Sequence, residues 1–236
     1  MTPPELWVTR LGLVPYAEAT AIQEATRARR LDGEVPDVLL LLEHPPVYTR
    51  GRRTGPGELG MGEAFYRERG IDIVDADRGG RVTYHGPGQL VGYPIMATTD
   101  VRGHVRAMEQ ALVTALADEG VHARARPDDG PAYQGVWVQD RKIASVGVHV
   151  HKGVTTHGFA INVSNDLAPF GWVVACGLPE VQMTSLVAET GRAGDPMPCF
   201  RKRVAWRFAQ ATGRRQRLVS PQRAGVVAPE PVGAAQ

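Results

Sequence analysis

The most restrictive feature of this sequence is the segment VLLLLEH at residues 38–44, in which five apolar residues follow one another without interruption. A short continuous apolar run of this kind is typical of a buried strand. The charged end of the run and the two prolines of HPPVYT (44–49) indicate that the strand stops there. We therefore expect residues 38–44 to form a central strand of a sheet.

Strands outnumber helices in the rest of the chain. Apolar periodicity predicts helices at residues 16–32, 101–119 and 199–212. Strands are predicted at residues 71–78, 81–86, 89–96, 121–127 and 133–140. Residues 142–163 are predicted to form a long hairpin that turns near Lys152-Gly153. Many strands around few helices indicate an α+β fold, with a mixed, mainly antiparallel β-sheet packed against helices.

Length and composition favour one folded domain. Of the 236 residues, 43% are hydrophobic and 22% are charged, which argues against a disordered, collagen-like or coiled-coil chain. A chain of this size buries roughly seventy per cent of its extended surface, which is enough for one substantial core. We expect residues 1–213 to form a single domain. The Pro-, Gly-, Ala- and Arg-rich residues 214–236 are expected to form a flexible tail.

Positive charge is concentrated near the C-terminus. Residues 201–236 contain eight basic residues and one acid, a net charge of +7, which leaves −5 for residues 1–200 of a chain whose total is +2. Because nucleic-acid binding needs a basic face on the folded part, we expect no nucleic-acid partner. The arginines at 201–217 are interpreted as a solvated helix face, with docking of an acidic partner by Arg201, Arg203 and Arg207 as the alternative.

No segment predicts a membrane span, a signal peptide or a metal site. No run approaches 18 apolar residues, and the N-terminal sequence MTPPELWVTRLG lacks a basic stretch followed by an apolar one. The two cysteines, Cys176 and Cys199, are too few for a disulfide framework, and no Cys/His cluster has zinc spacing. We expect a cytoplasmic protein with reduced thiols, no membrane partner, no metal and no other cofactor.

The first segment with potential chemistry is RGGRVTYHGPGQLVGYP (78–94). Its five glycines, at positions 79, 80, 86, 88 and 92, allow positive φ angles or close approach of the backbone to a ligand. His85 adds a polar group at a predicted strand end. A glycine-rich hairpin with a hydrogen-bonded histidine would have the same sequence, so both interpretations stay open.

The second segment contains Cys176, in VVACGLP (173–179). A lone cysteine is usually a small buried apolar residue, but the following Gly and Pro place this one at a turn, where backbone N–H groups can favour a thiolate or hold an oxyanion. Lysine usage singles out Lys142, because the chain has only three lysines and 24 arginines. Lysine can release its proton and arginine cannot. A simple strand-end charge is the alternative for Lys142.

Taken together, several separated segments resemble the lipoyl(octanoyl) transferase family. The resemblance covers about residues 35–190, and the order and spacing of the segments match the family throughout. The matching segments are LLEHPPVYT (41–49), RGGRVTYHGPGQLVGYPI (78–95), GVW (135–137), KIASVGVHV (142–150), THGFAINV (156–163), DLAPF (166–170), ACG (175–177) and MTSL (183–186). This resemblance implies a lipoate/biotin protein ligase-like catalytic fold for residues 1–213.

The resemblance also implies a cysteine/lysine acyltransferase without a cofactor. The thiol corresponding to Cys176 takes an octanoyl group from octanoyl-acyl carrier protein as a thioester, and the lysine corresponding to Lys142 adjusts the thiol and moves protons. The implied acceptor is a lysine on lipoyl domains of 2-oxoacid dehydrogenases or of the glycine cleavage carrier protein. The residues implied to line the acyl group are Arg78, Gly79, Gly80, Arg81, Val82, Thr83, Tyr84, His85, Ser145, Val146, Gly147, Gly158, Phe159 and Ala160.

Several features depart from the family or stay open. The residue before the thiol is usually proline and is Ala175 here, and the loop GRRTGPGELGMG (51–62) has no match. His85 and His157 are interpreted either as groups that bind the acyl carbonyl or as groups that orient neighbouring loops. His44 is expected to be structural and Cys199 incidental. We expect a monomer.

Two other functions stay open. An ATP-dependent lipoate or biotin-type protein ligase would have a similar Gly-rich strand and lysine, but it would not need a nucleophilic cysteine. A non-catalytic module that binds an acyl carrier or a lipoyl domain is the alternative from a different class.

Overall fold

The computed structural model describes residues 2–174 and 181–226. The strands are β1 (Glu5–Leu13), β2 (Asp37–Glu43), β3 (Val47–Arg50), β4 (Asp72–Asp75), β5 (Thr83–His85), β6 (Gln89–Ile95), β7 (Arg124–Ala125), β8 (Gly135–Val138), β9 (Arg141–His151), β10 (Val154–Asn162) and β11 (Arg215–Leu218). The α-helices are α1 (Tyr16–Leu31), α2 (Glu63–Arg67), α3 (Val101–Ala117), α4 (Leu186–Thr190), α5 (Met197–Ala211) and α6 (Pro221–Ala224). Short 3₁₀ helices occur at Pro127–Asp129 and Ala168–Trp172.

One large sheet organises the fold. Its eight strands lie in the order β11-β1-β2-β6-β10-β9-β8-β7. The pairs β1–β2 and β1–β11 are parallel, and all other neighbours are antiparallel. The prediction of an α+β fold with a mixed, mainly antiparallel sheet is therefore confirmed.

The apolar run that begins at Val38 lies in the middle of this sheet and is buried on both faces. Successive side chains of a strand point to opposite sides. Accordingly, Leu39 and Leu41 join one core cluster, while Val38, Leu40 and Leu42 join the other. Helices α3 and α5 contribute to the first cluster, whereas α1 and α6 contribute to the second. Because helices cover both faces, the five central positions of β2, from Val38 to Leu42, are all apolar.

The three predicted helices are confirmed, with ends that differ by at most two residues. The Asp100 side chain caps α3 by accepting a hydrogen bond from Gly103 N–H (2.8 Å). The predicted turn of the β9–β10 hairpin is also confirmed, since Lys152 and Gly153 both have positive φ angles, as a tight hairpin turn needs. No helix in the described parts of the chain is long and apolar enough to span a bilayer.

The structure contains a second, three-stranded sheet, which contradicts the predictions for residues 44–49 and for the strands on either side of Gly79-Gly80. Residues 44–49 were expected only to end a strand, but Val47–Arg50 forms β3, the middle strand of the order β4-β3-β5. β3 pairs with β4 in parallel and with β5 antiparallel. The segments on either side of Gly79-Gly80 therefore do not pair with each other. The prolines interrupt one sheet, and the chain then enters another.

The prediction of a flexible tail from residue 214 is wrong for residues 214–226. β11 pairs in parallel with β1, a strand that the sequence analysis did not predict, and Arg215 of β11 forms an ion pair with Glu5. After β11, α6 buries Ala224 against the second core cluster. The open edge of β1 gives this polar segment a backbone partner, which composition alone does not reveal. Residues 227–236 lie outside the described part of the chain.

The arginines of α5 are largely used within the fold. Arg203 forms an ion pair with Glu119 (2.9 Å), and Arg207 forms one with Asp118 (2.5 Å). Both acids directly follow α3, so these pairs join the ends of two packed helices. Two of the three arginines that suggested a docking surface, Arg203 and Arg207, are therefore balanced by neighbouring acids.

Candidate active site

A cavity of about 210 Å³ lies between the middle of the large sheet and the Gly-rich segment 78–85. The residues predicted from the sequence that line it are Arg78, Gly79, Gly80, Arg81, Thr83, His85, Lys142, Ser145, Val146, Gly147, His157, Gly158, Phe159 and Ala160. The lining residues that were not predicted are Tyr16, Arg53, Val91, Tyr93, Pro131, Ala132 and Gln134. Three segments that are far apart in the sequence thus meet around one space.

Pairing of β9 with β10 brings two of these segments together. Gly147 lies opposite Gly158, and Ser145 lies opposite Ala160. The Gly-rich segment docks onto β9 through Gly79, whose N–H donates to the carbonyl of Val148 (3.1 Å). A Cβ atom on Gly147 would lie only 2.8 Å from the carbonyl oxygen of Gly79. The close contact of the two backbones therefore requires glycine at position 147.

Val82 and Tyr84 do not line the cavity, contrary to their place among the predicted lining residues. Both pack with Tyr48 in the aromatic cluster around the small sheet. Thr83 and His85 lie on the cavity side of the same strand. Alternation of side chains along β5 sends neighbouring residues to opposite faces, so a continuous segment cannot line one cavity with every residue.

Lys142 lies buried at the start of β9, with 2% of its surface exposed. Its ammonium nitrogen is 5.3 Å from the ring centre of Trp137. Its backbone N–H donates to the carbonyl of Gln182 (2.8 Å), and its carbonyl accepts from Thr184 N–H (2.9 Å). Nearby, burial raises the pKa of Glu109, while a hydrogen bond from Gly135 N–H and the charge of Lys142 oppose that rise. The lysine is thus held rigidly at the edge of the cavity.

Cys176 lies outside the described residues. The described residues on either side of it, however, are anchored beside the cavity. Val174 N–H donates to the carbonyl of Glu58 (3.0 Å), and Gln182 accepts from Lys142 N–H. The last described residue before Cys176, Val174, therefore contacts the loop 51–62, and Gln182, close after the undescribed segment, contacts Lys142.

Glu58 is a structural residue of the site that the sequence analysis missed. It is only 5% exposed, although it belongs to the unmatched loop 51–62. Its carboxylate accepts hydrogen bonds from Gly55 N–H (3.0 Å) and Val82 N–H (3.3 Å), and it pairs with Arg81. The available signal was that Glu58 is the only acid in a loop with two arginines.

Arg78 and His85 form a fixed hydrogen-bonded wall. Arg78 donates to the hydroxyl (2.6 Å) and the carbonyl (2.7 Å) of Thr49. The amide NH₂ of Gln89 donates to the Tyr84 carbonyl, so the Gln89 oxygen accepts from the Nδ1–H of His85 (2.7 Å). Burial lowers the pKa of His85 well below its usual value, and the positive groups nearby add to the shift. His85 is therefore a neutral imidazole whose orientation the protein sets.

The hydrogen bonds of this wall continue to the strand segment beside Lys142. Gln89 donates to the side-chain oxygen of Asn162 (2.9 Å). The amide of Asn162 donates in turn to the carbonyl of Thr184 (3.0 Å). Since Thr184 N–H binds the Lys142 carbonyl, buried polar groups connect His85 to Lys142. Such satisfied networks restrict side chains to one arrangement.

His157 closes the cavity at another point, together with Tyr16. It has a positive φ angle of 57°, and its backbone N–H donates to the side chain of Gln23 (2.6 Å). Its Nε2 lies 2.6 Å from a carboxylate oxygen of Asp77, and the Tyr16 hydroxyl lies 3.5 Å from its Nδ1. Burial lowers the pKa of His157, whereas Asp77 opposes the shift. Because protein groups face both ring nitrogens, an orienting role is favoured for this histidine.

His44 confirms the expectation of a structural residue. Its Nδ1 lies 2.7 Å from the carbonyl of Val14 and therefore carries the proton. Its Nε2 accepts a hydrogen bond from the hydroxyl of Tyr93 (2.7 Å), which lines the cavity. Cys199, by contrast, is an exposed free thiol on α5, away from the cavity. The described residues contain no group of three or more metal-binding side chains.

The lowered pKa values of the buried histidines predict that the protein loses stability in mild acid. Burial lowers the pKa of His44 and of His104 from 6.5 to about 4. Between pH 6.5 and 4 the unfolded chain therefore binds more protons than the folded one, and the free energy of unfolding falls by about 1.4 kcal/mol per pH unit for each histidine. Urea unfolding at several pH values measures this slope. His104→Gln should reduce it, whereas the same change at the exposed His122 should not; equal slopes would contradict the prediction.

Comparison of the sequence with known proteins identifies its family. The family model of the lipoyl protein ligase A/B catalytic domain matches residues 15–209. The chain belongs to this family. An octanoyltransferase from Acidothermus cellulolyticus is 48% identical over 190 residues, which cover 77% of this chain and 80% of the relative. An octanoyltransferase from Rubrobacter xylanophilus is 46% identical over 185 residues, which cover 77% and 82%.

A solved structure from the lipoate ligases has the same fold. It is a putative lipoate protein ligase from T. acidophilum with bound lipoic acid, and it aligns with a TM-score of 0.73 over 94% of this chain and 93% of its own. Only 17% of the aligned residues are identical, so this likeness concerns the fold alone. The family resemblance and the lipoate ligase-like fold expected from the sequence are both confirmed.

Proposed function

We propose that this lipoyl protein ligase A/B family member is an octanoyltransferase that works through a thioester on Cys176, with octanoyl-acyl carrier protein as donor and a lipoyl-domain lysine as acceptor. Octanoyl transfer by an enzyme agrees with the shared name of the curated relatives. The thioester, the carrier protein and the roles of individual residues are parts of our proposal. So are a monomeric state and a cytoplasmic location.

The observation that carries the proposal is the convergence of Lys142 and the predicted acyl-binding segments on one cavity. Val91, Val146 and Phe159 supply apolar surface there, and Gly147 and Gly158 line the same space. An unbranched acyl chain gains free energy by leaving water for such a surface. The described flanks of the segment with Cys176 are bonded to Lys142, which lines this cavity, and to Glu58, which forms an ion pair with the lining residue Arg81.

In the first half-reaction, the thiolate of Cys176 attacks the octanoyl carbonyl carbon. The bond from that carbon to the carrier sulfur breaks, and the carrier leaves as a thiol after it takes the proton of the Lys142 ammonium, which leaves Nζ of Lys142 neutral. One thioester replaces another, so this step requires no ATP. A buried ammonium at Lys142 favours the thiolate, because an opposite charge stabilises an ionised group in a site with little water.

In the second half-reaction, the amine of an acceptor lysine attacks the same carbonyl carbon. The bond to the sulfur of Cys176 breaks, and an amide forms. The incoming amine must lose a proton, and Nζ of Lys142 is positioned to accept it once it is neutral. Arg78 and His85 keep the wall of the cavity in place through their bonds to Thr49 and Gln89. A neutral His85 adds no further charge to that wall.

Incubation with octanoyl-acyl carrier protein tests the function directly. We expect intact-mass measurement to detect one added octanoyl group on the wild-type protein without ATP, and we expect that group to move to a lipoyl domain when the domain is added. A ligase would instead modify the domain only with free octanoate and ATP. A binding module would form a complex with the carrier but would acquire no mass. Either of these last two results would contradict the proposal.

A further inference from the structure

A second space, a cleft of about 460 Å³, lies next to the acyl cavity. The two spaces share part of their walls, including Gly79-Gly80 and Val146-Gly147. On its other side the cleft is bounded by α3, which contributes Val101 and Val105. If the acyl chain of a thioester donor occupies the cavity, the part of the donor beyond the thioester sulfur can lie in the adjoining cleft.

The cleft is strongly cationic. Its lining includes Arg53 from the loop 51–62, Arg102 and Arg106 from α3, and Arg126. Arg126 is neutralised, since it forms ion pairs with Asp129 and Asp140. Arg53, Arg102 and Arg106 are exposed, and none of them lies within ion-pair distance of an acid in residues 2–174 and 181–226. One acid, Glu109, lines the cleft; it accepts a hydrogen bond from Gly135 N–H, and the charge of Arg106 opposes the rise that burial causes in its pKa.

Acids of the described residues offset the mutual repulsion of these arginines only in part. Arg102 and Arg106 are four residues apart on α3, so their side chains lie side by side on the same helix face. Like charges at that spacing destabilise a helix, and α3 has no acid in its first turn. Glu109, three residues after Arg106, is the one acid of the cleft lining that offsets them in part. Arg53 faces them from a different element. Convergence of three exposed guanidinium groups on one cleft is favourable when an anion lies between them.

We propose that this cleft binds the phosphate of the pantetheine arm by which the donor presents its thioester. This inference rests on the proposed function, because it identifies a part of the donor. Guanidinium groups bind phosphate oxygens through paired N–H donors, and Arg102, Arg106 and Arg53 supply such donors. The valines of α3 and β9 supply apolar surface for the chain between the phosphate and the thioester. A carrier protein and coenzyme A carry the same arm, and the carrier's arm is the one that the proposed function requires.

Donors that differ only in the phosphate test this site. We expect wild-type protein to bind 4′-phosphopantetheine about tenfold more tightly than pantetheine in calorimetry, a ratio typical of one lost charge-assisted contact. We expect the same ratio in kcat/KM between the two S-octanoyl compounds. In Arg102→Ala/Arg106→Ala both ratios should fall to about one. The double variant Arg52→Ala/Arg124→Ala removes the same charge from exposed positions outside the cleft, and it should keep both ratios.

The outcomes separate the phosphate site from the proposed function. Equal binding of the two compounds by wild-type protein, or an unchanged ratio in the Arg102/Arg106 variant, would overturn the inference. Preferential phosphate binding without octanoyl transfer would uphold the cleft as a phosphate site and would contradict the octanoyltransferase. Octanoyl-coenzyme A and octanoyl-acyl carrier protein serve as further donors. If Arg102→Ala/Arg106→Ala lowered kcat/KM with octanoyl-coenzyme A but not with octanoyl-acyl carrier protein, the assignment to the carrier's arm would be overturned.

Discussion

Replacing Lys142 with arginine is expected to slow octanoyl transfer to a lipoyl domain by about 10²–10⁴-fold, the usual contribution of a general base. The substitution keeps the positive charge, but the guanidinium group cannot release its proton and accept one from the incoming amine. Lys142 is buried beside Trp137, and its backbone is fixed on both sides by Gln182 and Thr184. Rates with purified protein and a lipoyl domain measure the effect.

Lys152 offers a matched control, because it lies in the exposed turn between β9 and β10. Lys152→Arg should leave the transfer rate unchanged. Arginine is larger than lysine, so the melting temperature of Lys142→Arg must be compared with that of the wild type, and Lys142→Met provides a second, smaller variant. Near-normal transfer by a folded Lys142→Arg protein would show that the charge alone is needed and would exclude the proposed proton transfer.

Removing the thiol of Cys176 is expected to have an even larger effect, a fall in kcat of about 10⁴–10⁶-fold, as with other enzymes that lose their nucleophile. Cys176→Ala should abolish the octanoyl adduct as well as turnover, because no other group in the proposed mechanism can form the thioester. Cys176→Ser keeps the size of the side chain and should still be strongly impaired, since a hydroxyl is ionised far less readily than a thiol. Intact-mass spectra and single-turnover transfer measure both steps.

The other cysteine supplies the control for this experiment. Cys199 is an exposed thiol on α5, remote from the cavity. Cys199→Ala should therefore acquire the octanoyl group and transfer it like the wild type. An octanoyl adduct that persists in Cys176→Ala but disappears in Cys199→Ala would identify Cys199 as the nucleophile and would contradict the mechanism.

Local sequence patterns were sufficient where one element determines its own conformation. The uninterrupted run at 38–44, the periodic helices and the β9–β10 hairpin were all predicted, because their signals depend on residues a few positions apart. The separated motifs also identified most of the cavity lining. By contrast, the strand at 47–50 was missed, since two prolines can end a strand without revealing that the chain enters a second sheet.

Residues that depend on distant partners required the tertiary structure. Nothing in the sequence pairs Glu58 with Arg81, or places Tyr16 and Tyr93 at the cavity. The polar segment 215–218 becomes a strand only because β1 presents an open edge to it. The same long-range packing brings Arg53 to the cleft lined by Arg102 and Arg106 of α3.

The sequence by itself therefore determined the fold class, the family and the residue types that the proposed chemistry requires. The tertiary structure decided which of those residues face one another. Alternation along β5 turns Thr83 and His85 towards the cavity and Val82 and Tyr84 away from it. Propensity and periodicity act over a few residues, whereas a site is assembled by the packing of elements that lie far apart in the chain.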